Sequence, residues 1–194
     1  MKPLHLNLLA AICLCATANA GDTFKIDPSH SMIAFKVGHM LGAAKGKFTK
    51  FSGTIEVDRE HPEQSAVNVT IQAASINTAI VKRDDHLRSA EFFNVEKFPG
   101  ITFKSRGVKK TGAVSGEIAG DLTMHGVTRP ITLRVQLQGD PQAAMKNPTS
   151  RWRVTTAPIR RSQFGLVFSK SAETISMIAD EVSVDIEIEA QRAN

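Results

Sequence analysis

Glu181-Val182-Ser183-Val184-Asp185-Ile186-Glu187-Ile188-Glu189 alternates a polar residue with a branched aliphatic one, without a break, for nine positions. Side chains on a β-strand point to opposite faces at every step, so this spacing puts Val182, Val184, Ile186 and Ile188 on one face and the charges on the other. A helix would scatter the glutamates around its circumference. The stretch is therefore a strand with one dry and one wet face, the kind antiparallel sheets contain.

The same period recurs throughout the chain. Ile33, Phe35 and Val37 oppose Met32, Ala34 and Lys36; Val67, Val69 and Ile71 oppose Asn68, Thr70 and Gln72; Ile131, Leu133, Val135 and Leu137 oppose Thr132, Arg134, Gln136 and Gln138. In 46–58, Phe51, Ile55 and Val57 share a side. That segment would extend roughly 40 Å at about 3.3 Å per residue. Gly, Pro, Asn and Asp gather at 58–62, 109–112, 126–130 and 139–148, which read as turns, the last as a long surface loop. One stretch, Val81 to Phe92, reads as a helix, with Ala79, Ile80, Leu87, Ala90 and Phe92 spaced among charges. Phe98-Pro99-Gly100 returns the chain to a strand.

About eight strands, each with one apolar face, either stack as two sheets or close on themselves. Closure removes exposed edges, and eight strands leave room inside for packed side chains or one small ligand. The expected fold is all-β: an extended eight-stranded antiparallel barrel with one short helical segment. No repeat, linker or low-complexity tract divides it.

The ends and the composition narrow the setting. Lys2, the apolar run from Leu4 to Ala16 and the small-x-small triplet Ala18-Asn19-Ala20 form a secretory leader, with cleavage expected before Gly21. The apolar run is too short for a permanent membrane anchor. Cys13 and Cys15, the two cysteines of the chain, lie inside it, and neither follows a small residue as a lipoprotein cysteine would. The remaining 174 residues form an exported domain without thiols, held by core burial alone. Loss of Lys2 lowers the net charge from +5 to +4. Lys45, Lys47, Lys50, Lys104, Lys109, Lys110, Arg160 and Arg161 are spread along the chain and form no basic tract, which argues against nucleic acid. A mildly basic protein is still drawn to anionic membrane surfaces.

Four segments carry a family resemblance. The first is Ile26-Asp27-Pro28-Ser29-His30-Ser31, with Phe35, Val37 and His39 after it. The second joins Ser75-Ile76-Asn77-Thr78, Arg83-Asp84-Asp85-His86-Leu87, Glu91-Phe92-Phe93-Asn94-Val95 and Phe98-Pro99-Gly100-Ile101-Thr102-Phe103. The third is Gly120-Asp121-Leu122-Thr123-Met124-His125-Gly126-Val127-Thr128. The last is Arg161-Ser162-Gln163-Phe164-Gly165, with Ala179-Asp180-Glu181-Val182. Together they resemble the YceI family of bacterial periplasmic proteins, also called the polyisoprenoid-binding family, over nearly all of the chain beyond the leader. Phe24 stands where a tyrosine is common and Ala179 where a glycine is usual. The resemblance implies a lipocalin-like barrel around a long isoprenoid chain, with quinone or fatty-amide tails also accepted. It also implies a periplasmic location.

Ile33, Phe35, Val37, Phe51, Ile55, Val69, Ile71, Ile118, Leu122, Leu133, Val135, Val184 and Ile186 are then candidates to line a lipid cavity, or else to fill a solid core. Trp152, the single tryptophan, flanked by Arg151 and Arg153, can stack on a head group or fill the barrel. His39 falls in a family segment, as do His30 and His125, and such positions suit hydrogen bonds at turns or at the pocket mouth. Arg83 can meet a phosphate or carbonyl at the rim. Asp84 and Asp85 beside His86 could in principle share acid–base work, but helix dipole and capping explain them more simply.

Nothing matches a metal, haem, phosphate-loop or nucleophile-elbow motif, so no metal, cofactor or catalytic residue is expected. Asn68-Val69-Thr70 fits a glycosylation sequon only formally. The reading is a non-enzymatic carrier or store for an isoprenoid lipid, as a monomer or homodimer. The rivals are an enzyme or redox accessory acting on a bound quinone-type lipid, and a binder of straight-chain fatty acid or amide.

Overall fold

A computed structural model describes residues 21–58, 60–139, 148–168 and 177–193. The expected leader, with its cleavage point and both cysteines, lies outside the described residues, as does most of the 139–148 loop. In chain order the strands are β1 (Asp22–Ile26), β2 (Met32–His39), β3 (Gly42–Phe48), β4 (Phe51–Val57), β5 (Ala66–Gln72) and β6 (Ile76–Asn77). After the helix α1 (Val81–Arg88) come β7 (Gly100–Lys110), β8 (Ser115–Met124), β9 (Val127–Gln138), β10 (Thr149–Thr156), β11 (Ile159–Arg160) and β12 (Glu181–Arg192).

Closure decides between barrel and sandwich. β1, β4, β5, β7, β8, β9, β10 and β12 pair antiparallel in that order, and β1 pairs back onto β12 through Phe24↔Arg192 and Ile26↔Ala190. That is an eight-stranded ring without edges. The remaining pieces lengthen it. β1 and β2 both lie along β12, the first at Ala190–Arg192 and the second at Val182–Glu187, so they form one long strand kinked at 27–31. β3 and β4 continue each other in the same way, as do β5 and β6.

The expected uninterrupted strand over 46–58 is therefore two strands bent at Thr49 and Lys50. There the backbone turns aside to bond a 3-10 turn at 73–75: Thr49 donates to the Ser75 carbonyl (3.1 Å), and Gln72 donates to that of Lys50 (2.9 Å). The kink at 27–31 is built from its polar residues. Asp27 accepts from the Ser29 amide (2.9 Å) and the His30 ring (2.8 Å), and the Ser31 hydroxyl accepts from the Glu189 amide across β12 (2.9 Å).

The turn expected at 126–130 is tighter than its composition suggests. Met124 pairs with Val127, leaving His125 (φ 53°) and Gly126 (φ 76°) as a two-residue loop with both residues left-handed, which matches the twist of a hairpin. Pro130 lies within β9, opposite Asp121. Between β7 and β8 the turn sits at 111–114 rather than 109–112, because β7 runs on to Lys110. A bulge between Ser105 and Gly107 shifts the parity of β7, so that Phe103 above it and Val108 below it both face inward.

The helix stops earlier than its apolar spacing predicts. Ser89 takes an extended conformation, and its hydroxyl donates to the His86 carbonyl (2.8 Å). The chain then turns through Asn94 at φ 46°, which swings Phe92 and Phe93 into the core. Of the expected apolar stripe only Leu87 and Phe92 are buried; Ala79, Ile80 and Ala90 are exposed. Leu87, Phe92, Phe93, Phe164, Leu166 and Ile76 form a plug at the end of the barrel that carries α1, called here the helix end. A fully buried side chain of this size stabilises by about 1.5–3 kcal/mol, so the plug is a principal anchor of that end. The other end, called the termini end, holds residue 21 and the close of β12.

A hollow barrel as candidate functional site

The inward faces of the strands are not packed solid. Ile131, Leu133, Val135 and Leu137 of β9 and Val182, Val184 and Ile186 of β12 point inward, yet each is only half-buried. They border a cavity of about 830 Å³, in the upper part of the 300–1,000 Å³ range of ligand pockets. From Val182 to Ile188 the wall of β12 alone follows the cavity over seven residues, about 20 Å along the strand. The space is long, narrow and apolar.

Fifteen of the sixteen sequence-derived candidates line it. They are Ile33, Phe35, Val37 and His39 of β2, Ile55 of β4, Val69 and Ile71 of β5, Arg83 of α1, and Ile118 and Leu122 of β8. Leu133 and Val135 of β9, Trp152 of β10, and Val184 and Ile186 of β12 complete the set. Phe51 does not reach the cavity. It shares the inward parity of Ile55 but is buried in a cluster with Phe24, Ile26, Ile33 and Ile188, which themselves border the cavity.

The residues missed are instructive. Phe92, Phe93, Leu166 and Phe168 also border the cavity, but they sit in irregular chain; no period marks the last three, and Phe92 reads in the sequence only as part of a helical stripe. Phe168 stacks on Phe92 at 4.5 Å, and Phe92 meets Phe93 edge-on at 5.2 Å. Phe48 borders the cavity too, on the small-residue strand β3.

Polar groups in the wall near the helix end are anchored. Arg161 is buried and donates to the carbonyls of Leu166 (2.7 Å), Ala179 (3.1 Å) and Ile178 (3.3 Å), with its guanidinium 5.2 Å from the Phe168 ring. Arg83 donates to the Thr78 hydroxyl (2.7 Å) and carbonyl (2.9 Å). The Thr78 hydroxyl and amide in turn donate to Asp84 (2.6 and 2.8 Å). Asp84 is thus not a helix cap, as the sequence suggests: the N-cap residue is Ile80, without a side-chain cap bond, and Asp84 instead tethers the loop before the helix. Asp85 pairs with Arg88 (3.1 Å), and His86 with Glu91 (3.0 Å). These contacts account for the polar knot at 83–86.

Trp152 faces the cavity and donates from its ring to the Ser150 hydroxyl (3.1 Å), while Arg151 and Arg153 point outward to Glu189 (2.6 Å) and Asp185 (3.2 Å). The flanking arginines therefore do not frame the indole. His125 bonds the Phe164 carbonyl (3.1 Å) and meets the Phe98 ring edge-on, so it pins the hairpin to the 3-10 turn Arg161–Phe164. Phe24 lines the cavity with Arg192 over its ring at 5.6 Å, and Ala179 has no positive φ that would demand glycine.

Asp180 is pushed up by burial, but the amide and hydroxyl of Ser162 outweigh that and hold its carboxyl below the usual range. Asp27, His30 and Glu189 are brought together as metal ligands might be, with donor atoms within 4.8 Å of one another. The Arg151 guanidinium and the Gln191 amide already occupy those carboxylates (2.6 and 3.0 Å), so the group is a charge network that clamps the kink.

Comparisons agree with this architecture. The YceI-like domain model matches residues 24–190. The chain is 42% identical to Protein YceI of Salmonella arizonae over 143 residues, 72% of this chain and 74% of that protein. The Salmonella enteritidis protein of the same name gives the same figures. Among solved structures, the Campylobacter jejuni YCEI protein superposes with a TM-score of 0.67 at 30% identity, covering 78% of this chain and 86% of that one. Burkholderia cenocepacia BcnA shares the fold with a TM-score of 0.75 at 23% identity, covering 86% and 99%. A polyisoprenoid binding domain from Saccharophagus degradans shares it with a TM-score of 0.64 at 18% identity, covering 88% and 98%. With a closed barrel, a hollow apolar interior and a family match over nearly the whole described chain, this protein belongs to the YceI-like family.

Proposed function

We propose that the barrel sequesters one long isoprenoid lipid, of polyprenyl or quinone type, and carries or stores it in the periplasm without chemical turnover. The observation that carries this reading is the 830 Å³ cavity, whose aliphatic walls the protein's own side chains bury only by half. Each five-carbon prenyl unit that leaves water for such a wall gains about 4 kcal/mol, taking about 0.8 per carbon. A bilayer offers nearly the same gain, so exchange between bilayer and barrel is close to thermoneutral, while escape into water is slow. A carrier needs that balance.

The head group belongs near the helix end, where Arg83 and His39 offer polar contacts at the wall. Binding without turnover fits the wall chemistry there, because the donors of Arg161 and the Thr78–Asp84 pair are already engaged by protein groups.

Native mass spectrometry of the protein purified from the exported fraction, followed by solvent extraction, tests this directly. A stoichiometric extra mass that fragments in isoprene steps is expected. A straight-chain mass would transfer the site to fatty acids or amides. No extra mass, and no uptake of added prenol, would overturn the reading.

A further inference from the structure

The wall of the barrel is complete around the termini end but notched near the helix end. At the termini end β1 and β4 carry the ring from β12 to β5. Toward the helix end β3 pairs with β2 along its whole length, but β6 meets its other edge only at Lys47 and Phe48. Gly42–Gly46 therefore has no strand on that edge among the described residues. Ala44 on one side of the notch and Thr78 and Arg83 on the other all border the cavity. At Gly46 the two sides close on each other, a Cβ there lying 2.9 Å from the Thr78 methyl, so the notch is confined to Gly42–Lys45, beside the lipid site proposed above.

Outside the notch stand bulky apolar side chains that the fold leaves in water. Met40 and Leu41 form the tip of the β2–β3 hairpin, and Leu41 is 87% exposed. Ile80 and Val81 open α1, and Val81 is 75% exposed. Behind the hairpin tip lies a basic collar. Lys36 and Lys45 are directly opposite one another on the outer face, with Lys47 two residues on. Like charges placed opposite each other across strands repel. Neither they nor Lys82, beside Val81, has an ion pair among the described residues. Asp85 and Glu181, acidic groups on neighbouring elements, are taken by Arg88 and Arg160.

We infer that this notch is a docking mouth for an anionic bilayer surface: Leu41 and Val81 dip into the acyl boundary, the lysine collar meets lipid phosphates, and cargo passes sideways between β3 and α1. The inference rests on the carrier reading for its purpose, but not for its test. A fluid surface suits the features better than a shaped protein partner. The apolar groups are separate aliphatic protrusions, and the lysines are mobile point charges without a carboxylate partner among the described residues.

Delipidated protein is mixed with phosphatidylcholine vesicles with or without phosphatidylglycerol, and the bound fraction is read by co-sedimentation. Binding is expected only to the anionic vesicles, at least tenfold weaker for Leu41→Ser/Val81→Ser, and weaker and less salt-sensitive for Lys36→Gln/Lys45→Gln. Lys25→Gln/Lys104→Gln, on the outer wall away from the notch, should bind as the parent does. A polarity-sensitive dye placed through Leu41→Cys should shift to the blue on anionic vesicles, and the same dye through Lys104→Cys should not. Parent protein that ignores anionic vesicles, notch variants that bind as tightly as the parent, or dyes that respond alike would each overturn the inference. Because the protein is delipidated, failure to find an isoprenoid cargo would leave docking standing. Cargo-loaded protein that never meets vesicles would remove docking alone.

Discussion

Asp27 holds together the kink where the first long strand bends across β12. One carboxylate oxygen accepts the Ser29 amide, and the other accepts both the His30 ring and Gln191. The hydrogen bond to Asp27 and then its charge, with Glu189 adding to them, raise the His30 pKa above its ordinary 6.5. The same hydrogen bond, followed by that from the Ser29 amide, lowers Asp27 below 3.8. Protonated His30 is favoured in the folded chain, so its contribution is complete below 6.5 and drains as pH rises through the raised folded value. Ionised Asp27 contributes above 3.8 and is lost as pH falls through the lowered one. Both act together only between those limits. Urea unfolding should therefore show a higher midpoint in mildly acidic than in mildly alkaline buffer, and His30→Gln should remove that difference; a slope that survives the substitution would place its source elsewhere. Asp84 poses the converse case, a buried acceptor for a buried amide. Asp84→Ala strands the Thr78 amide and should cost about 1–3 kcal/mol. Asp84→Asn keeps an acceptor oxygen and should cost less, as chemical denaturation of the pair would show.

Elements differ in how openly the sequence announces them, and the difference is physical. β9 and β12 are exposed on one face and lean on a cavity with the other, so their inward and outward demands are opposite at every residue and the period is clean. β3 packs closely against its neighbours: a Cβ on Gly46 would sit 2.4 Å from the Phe35 ring, so the strand is written in small residues and lysines and has no apolar period. The kink at 27–31 depends on side-chain hydrogen bonds to the distant backbone of Glu189, and the short α1 on the Ser89 hydroxyl turning back to the His86 carbonyl; an apolar period encodes neither. The cavity walls on regular strands were legible; Phe92, Phe93 and Phe168, placed by turns, were not. The β8–β9 hairpin shows how firmly such local chemistry can bind. Gly126 has φ 76°, and a Cβ there would lie 2.6 Å from the Phe98 ring, which itself packs on His125. Gly126→Ala should therefore destabilise by more than the ~1 kcal/mol of a left-handed alanine alone. The urea midpoint should fall, and the Phe98→Leu background should recover part of the loss.

At the scale of the molecule, the barrel keeps a hollow where most domains of this size would fill one. Protein interiors normally pack at crystal-like density, and each unfilled space forfeits contacts. Around the end that carries β1 and β4 the sheet is closed by main-chain pairing through eight strands, so the wall there does not need its interior filled to stay together. The plug at the helix end and the buried cluster that holds Phe51 and Ala190 supply the burial. That division makes a clear prediction. Leu133 points into the cavity from the middle of β9, paired with Ile118 and Thr156. In a packed core Leu133→Trp would force neighbours aside and cost about 1–3 kcal/mol. In a hollow barrel the indole enters empty space, so unfolding free energy should change by less than about 0.5 kcal/mol. The same ring occupies the path of a guest, so uptake of a fluorescent polyprenol should fall at least tenfold while the circular dichroism spectrum is kept. A variant that unfolds easily would show the interior to be packed in solution. One that stays folded and still loads lipid would move the guest away from the middle of the barrel.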